Sequence, residues 1–170
     1  MNYSIAHNLF GVILAIALTS FTVTSTASSF IKLDTPSLKQ KSELVVKARV
    51  KNIRSAWNPS KTMLYSYITL DVTHTFKGTP HQQLEIRVPG GTLNGYTVSA
   101  IGTATFDIDS DVVAFVSRWE NGALRVTGYQ QGLSQIVLDS LGNETLEGGA
   151  AHGQKVSELA KQFKSQGEQP

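Results

Sequence analysis

Apolar and polar residues alternate most cleanly over residues 84–88, where Leu84, Ile86 and Val88 are separated by Glu85 and Arg87. A period of two is the mark of a strand with one buried face. Pro89 offers no backbone donor, and Gly90 and Gly91 admit backbone angles closed to other residues, so this strand is expected to end at a rim. The same alternation runs through residues 43–53. There Leu44, Val46, Ala48 and Val50 share one face, Lys47, Arg49 and Lys51 the other, and Val45 breaks the rule. The three cations read either as a ligand-binding stripe or as a solvated face with edge-protecting lysines.

The pattern continues in order. Residues 55–62 read as a loop containing Trp57, Asn58-Pro59 and Lys61. Residues 63–76 read as a second long strand, with Ile68, Leu70 and Val72 inward and Tyr67, Thr69, Asp71 and Thr73 outward. His74 has inward parity unless a bulge shifts it. Lys77-Gly78-Thr79-Pro80 turns the chain into the third strand, residues 82–88. After a rim loop at residues 89–95, Tyr96, Val98 and Ala100 mark a short fourth strand, and residues 101–110 are irregular. Residues 112–119 are almost continuously apolar, as expected of a strand covered on both faces. Glu120-Asn121-Gly122-Ala123 is a hairpin turn, because Asn-Gly tolerates positive φ. Residues 124–129 return, Gln130-Gln131-Gly132 interrupts, residues 133–138 form the last core strand, and a turn follows at residues 139–143.

Two helices flank these strands. Asp34-Thr35-Pro36-Ser37 reads as a start, with Thr35 as cap, Pro36 at the first helical position and Leu38 as the apolar anchor. Val156, Leu159, Ala160 and Phe163 follow helical spacing near the other end. The expected fold is mainly β: a small closed or partly open OB-like β-barrel with a short N-terminal helix and a C-terminal amphipathic helix. The expected division is a signal peptide over residues 1–27, the barrel over 28–148, and the final helix with a polar tail over 149–170.

Composition adds the address. Residues 1–27 hold no Asp, Glu, Lys or Arg, and residues 9–18 are nearly all apolar. Ser25-Thr26-Ala27 then supplies the small residues of a cleavage site. This reads as a secretory signal peptide cut after Ala27, although no Lys or Arg precedes the apolar run. An uncleaved anchor is the other reading, but the run falls short of the ~20 residues of a comfortable span. No Cys follows Ala27, which excludes a lipid-attached lipoprotein. The absence of Cys throughout also removes disulfides and thiol chemistry, and points to a bacterial periplasmic or extracellular protein. The net charge of +2 is too mild for a nucleic-acid footprint. No stable membrane insertion is expected after signal cleavage.

Candidate chemistry is sparse. His74, His81 and His152 fall in no metal-binding spacing, and no nucleophile elbow or phosphate loop is present. Asp107, Asp109 and Asp111 alternate like the start of a calcium loop, but Val112 and Val113 stand where such a loop continues. They read as a solvated acidic turn, with weak calcium binding or a small hydrolase as the alternatives. No cofactor is expected. The polar and aromatic loop residues are more suggestive, since aromatics at rims often anchor partners. Trp57, Tyr65, Pro89, Gly90, Gly91, Asn94, Gly95, Tyr96, Gln130 and Gln131 are the candidate partner-binding set, with Trp119 and Tyr129 nearby at strand ends. Such aromatics also cover barrel ends.

The order of motifs resembles a family of uncharacterised bacterial secreted β-domains. The matching segments are residues 42–50, Trp57, residues 65–72, Lys77-Gly78, residues 87–91, Gly95, Phe106, residues 112–116 and residues 128–132. More distantly, the strand order and the Lys-Gly corner are similar to the netrin-like, OB-type barrels of tissue metalloprotease inhibitors. Those inhibitors use an N-terminal Cys and several disulfides that this chain lacks, so the resemblance implies the barrel rather than the activity. The expected function is a secreted or periplasmic, non-catalytic binding module whose partner is a secreted or envelope protein. An inhibitor of a secreted metalloprotease and a small hydrolase are the alternatives.

Overall fold

In the computed structural model, which describes residues 31–164, the strand expected to be covered on both faces is the hub of the chain. It is β6 (Asp111–Arg118), and it is buried from Val112 to Ser117. Four strands form a ring with it: β1 (Leu44–Trp57), β2 (Leu64–Lys77), β3 (Gln83–Pro89) and β7 (Leu124–Val126). The order is β1–β2–β3–β7–β6, and β6 pairs again with β1. Every joint is antiparallel except β3–β7, which is parallel and consists of the single pair Ile86–Leu124. This is the small, partly closed β-barrel expected.

Two apolar clusters lie on opposite sides of the β1–β6 wall. Val46, Ala48, Val50, Ile68, Leu70, Ile86, Val112, Ala114 and Val116 fill the barrel. Val45, Val113 and Phe115 face away from it, into a second cluster with Leu38, Leu146, Val156 and Leu159. Val45, which broke the alternation, is therefore buried like its neighbours, under the helices. Those helices are α1 (Thr35–Lys41) and α2 (Val156–Lys164). The cap of α1 is Asp34 rather than Thr35: the Asp34 carboxylate accepts a hydrogen bond from the Ser37 N–H at 2.9 Å, and Thr35 is already helical. At its other end, Lys77 Nζ donates to the carbonyls of Lys39 and Ser42 at 2.7 and 2.6 Å. Phe163 of α2 stacks on Phe76 at 5.9 Å, so the final helix docks on its own barrel.

Several boundaries differ from the sequence reading. The first strand runs on to Trp57, which closes a strand instead of sitting in a loop. The rim loop is a hairpin, β4 (Gly91–Leu93) and β5 (Tyr96–Val98), turned by Asn94-Gly95 with φ of 51° and 82°. The 124–129 segment is strand only to Val126, and a 3₁₀ turn at Tyr129–Gly132 leads into β8 (Leu133–Leu138). β8 is not the last strand, because β9 (Glu144–Glu147) pairs with it and buries Leu146. His74 leaves the barrel face: the β1–β2 register slips at Lys47/Ala48, whose partners are His74 and Val72, and Thr73 is the extra residue. The expected signal peptide and polar tail lie outside the described residues. No helix among the described residues is long and apolar enough to cross a membrane.

Phe115 is the largest fully buried side chain of the wall. Phe115→Ala should therefore lower unfolding stability by about 3–5 kcal/mol, read from urea denaturation. Leu141→Ala, at a position 83% exposed, should stay within about 0.5 kcal/mol.

Candidate functional site

The β3–β7 joint is where the ring is thinnest, and the polar side chains around it are unusual. β3 alternates Leu84, Ile86 and Val88 into the barrel with Glu85 and Arg87 outward, and β7 places Leu124 and Val126 inward with Arg125 outward. Parallel strands keep their parity, so one step beyond the Ile86–Leu124 pair, Arg87 and Arg125 stand side by side on the outer face. Like charges in that position repel. Elsewhere on the sheet Lys77 caps α1, and the other cations are matched to acids: Lys47 with Glu144, Arg49 with Asp111, Lys51 with Asp71, Arg54 with Glu85 and Arg118 with Glu43. Among the described residues Arg87 and Arg125 have no carboxylate partner; Arg125 Nε donates only to the Ser117 hydroxyl, at 3.3 Å.

Aromatic rings take the place of acids. The Arg87 guanidinium lies 4.8 Å from the Tyr65 ring and 4.7 Å from the Trp119 ring, and those two rings meet edge to face at 5.7 Å. Such contacts stabilise the cation by about 0.5–2 kcal/mol but use its faces, leaving the in-plane N–H donors without acceptors. Arg87 Nε is buried with no hydrogen bond, and so is Thr103 Oγ1. Both residues line a cleft of about 160 Å³ in the seam, with Pro89, Trp119, Arg125 and Val126 among its walls. Gly128 and Tyr129, both at positive φ (68° and 59°), wrap its end.

The candidates from the sequence divide among several places. Tyr65 and Pro89 belong to the seam. Pro89 also joins Gly90 and Gly91 in a cleft of about 540 Å³ at the mouth of the barrel, against β5. The two glycines have structural work there. Gly90 N–H donates to the Leu64 carbonyl at 2.8 Å, and a Cβ at Gly91 would lie 2.3 Å from Ser66 Oγ. Asn94 and Gly95 form the hairpin turn, and Tyr96 beside them is 74% exposed. Gln130 and Gln131 line a third cleft, of about 390 Å³, with Leu133 and Glu147. Gln131 is a strut: its Oε1 accepts the Leu33 N–H at 2.7 Å and its carbonyl accepts the Ala150 N–H at 2.8 Å. Trp57 is half exposed at the end of β1 and does not line the seam cleft.

Arg87, Thr103 and Arg125 escaped the sequence reading. Their outward or loop positions were legible, but their meeting depends on the parallel β3–β7 pair, which no local pattern announces. The acidic run is distributed as well. Asp111 receives two hydrogen bonds from Arg49, at 3.0 and 2.7 Å, and Asp107 accepts one from Gln135 at 2.8 Å. No group of three His, Cys, Asp or Glu among the described residues is placed to hold a metal ion. Comparison with protein-family models, with curated proteins and with solved structures finds no match to this chain.

The Arg49 guanidinium, through its hydrogen bonds, holds the Asp111 carboxyl below its ordinary range. A lowered carboxyl contributes stability that is present above the unfolded value, roughly 3.9, and is lost as pH falls through the folded one. Asp111→Asn should thus lower the urea midpoint at neutral pH. The gap from the parent chain should close in acid below about pH 4, in urea titrations run at stepped pH.

Proposed function

We propose that this chain is a secreted or periplasmic binding module without catalytic chemistry, and that its contact surface is the arginine and aromatic cluster over the β3–β7 seam. The observation that carries this reading is the pair Arg87 and Arg125. They stand adjacent without an acid, on a face where neighbouring cations are individually neutralised. Placing like charges together costs stability. A surface that keeps them flanked by Tyr65 and Trp119 has the composition of a contact centre, where arginine and aromatic residues contribute most of the binding energy. Tyr129, exposed at the end of the same cleft, extends the aromatic rim. The expected partner is a secreted or envelope protein. The absence of Asp, Glu, Lys and Arg from residues 1–27, the apolar run at 9–18 and the lack of Cys support the address.

The mature chain, from residue 28 onward, is immobilised and exposed to periplasmic extract and culture medium, beside its Arg87→Ala/Trp119→Ala form. A retained protein that is at least tenfold depleted on the variant is expected. Equal retention on both, with the variant folded by circular dichroism, would remove this surface from consideration.

A further inference from the structure

The chemistry of the seam also defines what it takes. We infer that the cleft between β3 and β7 binds a carboxylate carried on a ring-sized apolar group, with Arg87 and Arg125 receiving the carboxylate. This rests on the same surface as the binding-module reading and adds the class of ligand.

The inference begins from what the wall lacks. Two arginines on neighbouring strands line one cleft, and no acidic side chain among the described residues answers them. Arg87 Nε and Thr103 Oγ1 are shut away from solvent with no hydrogen-bond partner. A buried donor left unmet costs about 1–3 kcal/mol, more when charged, and ring stacking does not supply an acceptor. A planar carboxylate does, because its two oxygens match the fork of a guanidinium. The rest of the cleft selects what is attached. Val88, Pro89, Ala104 and Val126 give it an apolar floor, and Trp119 gives it an aromatic wall. Its volume, about 160 Å³, is that of a cavity which accepts a benzene-sized group.

The same features weigh against a phosphate. A doubly charged group pays more to leave water and has no use for an apolar floor. A singly charged anion with an apolar tail satisfies both halves of the cleft. That carboxylate can come from a free organic acid or from the C-terminal residue of a polypeptide, and the two are separable by experiment.

Trp119 reports on the site. In a Trp57→Phe background it is the remaining tryptophan, since the chain has two, and Trp57 does not line the cleft. N-acetyl-phenylalanine is titrated at low salt against its fluorescence, beside N-acetyl-phenylalaninamide and inorganic phosphate. The acid should give a saturable change, with the amide at least tenfold weaker and phosphate unable to displace the acid at equal concentration. Arg87→Lys and Arg125→Lys, which keep the charge and lose the fork, should each weaken the acid at least tenfold. Arg54→Lys, whose arginine is already paired with Glu85, should not. If one lysine variant fails to fold, the other decides.

A hexapeptide ending in a free-acid phenylalanine that binds at least as tightly as the acetylated residue assigns the site to chain termini. A hexapeptide binding tenfold more weakly assigns it to free acids. No saturable change, equal binding of acid and amide, or displacement by phosphate overturns the inference. A protein captured through the seam but not released by excess N-acetyl-phenylalanine overturns it too and leaves the binding module standing. Acid binding without any captured protein removes the protein partner instead.

Discussion

Burial of β6 on both faces is the constraint on which the rest of the architecture depends. Val112, Ala114 and Val116 close the barrel, while Val113 and Phe115 close the layer beneath the helices. Each of the valine and phenylalanine side chains contributes about 1.5–3 kcal/mol of hydrophobic stabilisation, so this one strand anchors two cores at once. It also holds three neighbours in register: β1 along one side, and β7 then β8 along the other. The helices have no independent reason to form at their length, and they stand because the outer face of β6 needs covering. Lys77 and the stacked pair Phe76–Phe163 tie both of them to the far end of β2.

The ring is thin one strand away from β6. β3 and β7 share one residue pair before they part, and the cleft opens where they do. A parallel joint also brings outward residues of both strands abreast, which is why two arginines meet there. Elsewhere on the surface the charge pattern is the bland one: the lysine and arginine stripe of β1 is matched to acids on three other strands. The seam is the departure: Arg87 is stacked on two rings with its Nε unmet, and Arg125 beside it has a hydroxyl and no acid.

The motifs that carry the resemblance turn out to have fold-making roles. Lys77 caps α1, Gly91 clears the Ser55 and Ser66 hydroxyls, and a Cβ at Gly132 would sit 2.0 Å from the Thr127 carbonyl oxygen. Gln131 joins the lead-in to the segment before α2. Arg125 and Thr103, which face the cleft, lie outside those motifs. The residues of those motifs thus serve the barrel, while part of the cleft lining comes from elsewhere in the chain.

Local periodicity by itself determined the long strands, the two-faced character of residues 112–116, the Asn121-Gly122 hairpin and the amphipathic final helix, because each is written within a few residues of chain. It missed what depends on partners. Asn94-Gly95 has the same turn chemistry as Asn121-Gly122, but its flanking strands are three residues each and mostly exposed, too short to show a period. β9 is legible only once β8 is there to pair with it. The slip that moved His74 is a property of two strands in register, not of either alone. The same holds for the site. Arg87 and Arg125 each read as an ordinary outward cation on its own strand. Only the closing of the ring set them side by side, because the register of distant strands is fixed by the packing of the whole core and by nothing local to either.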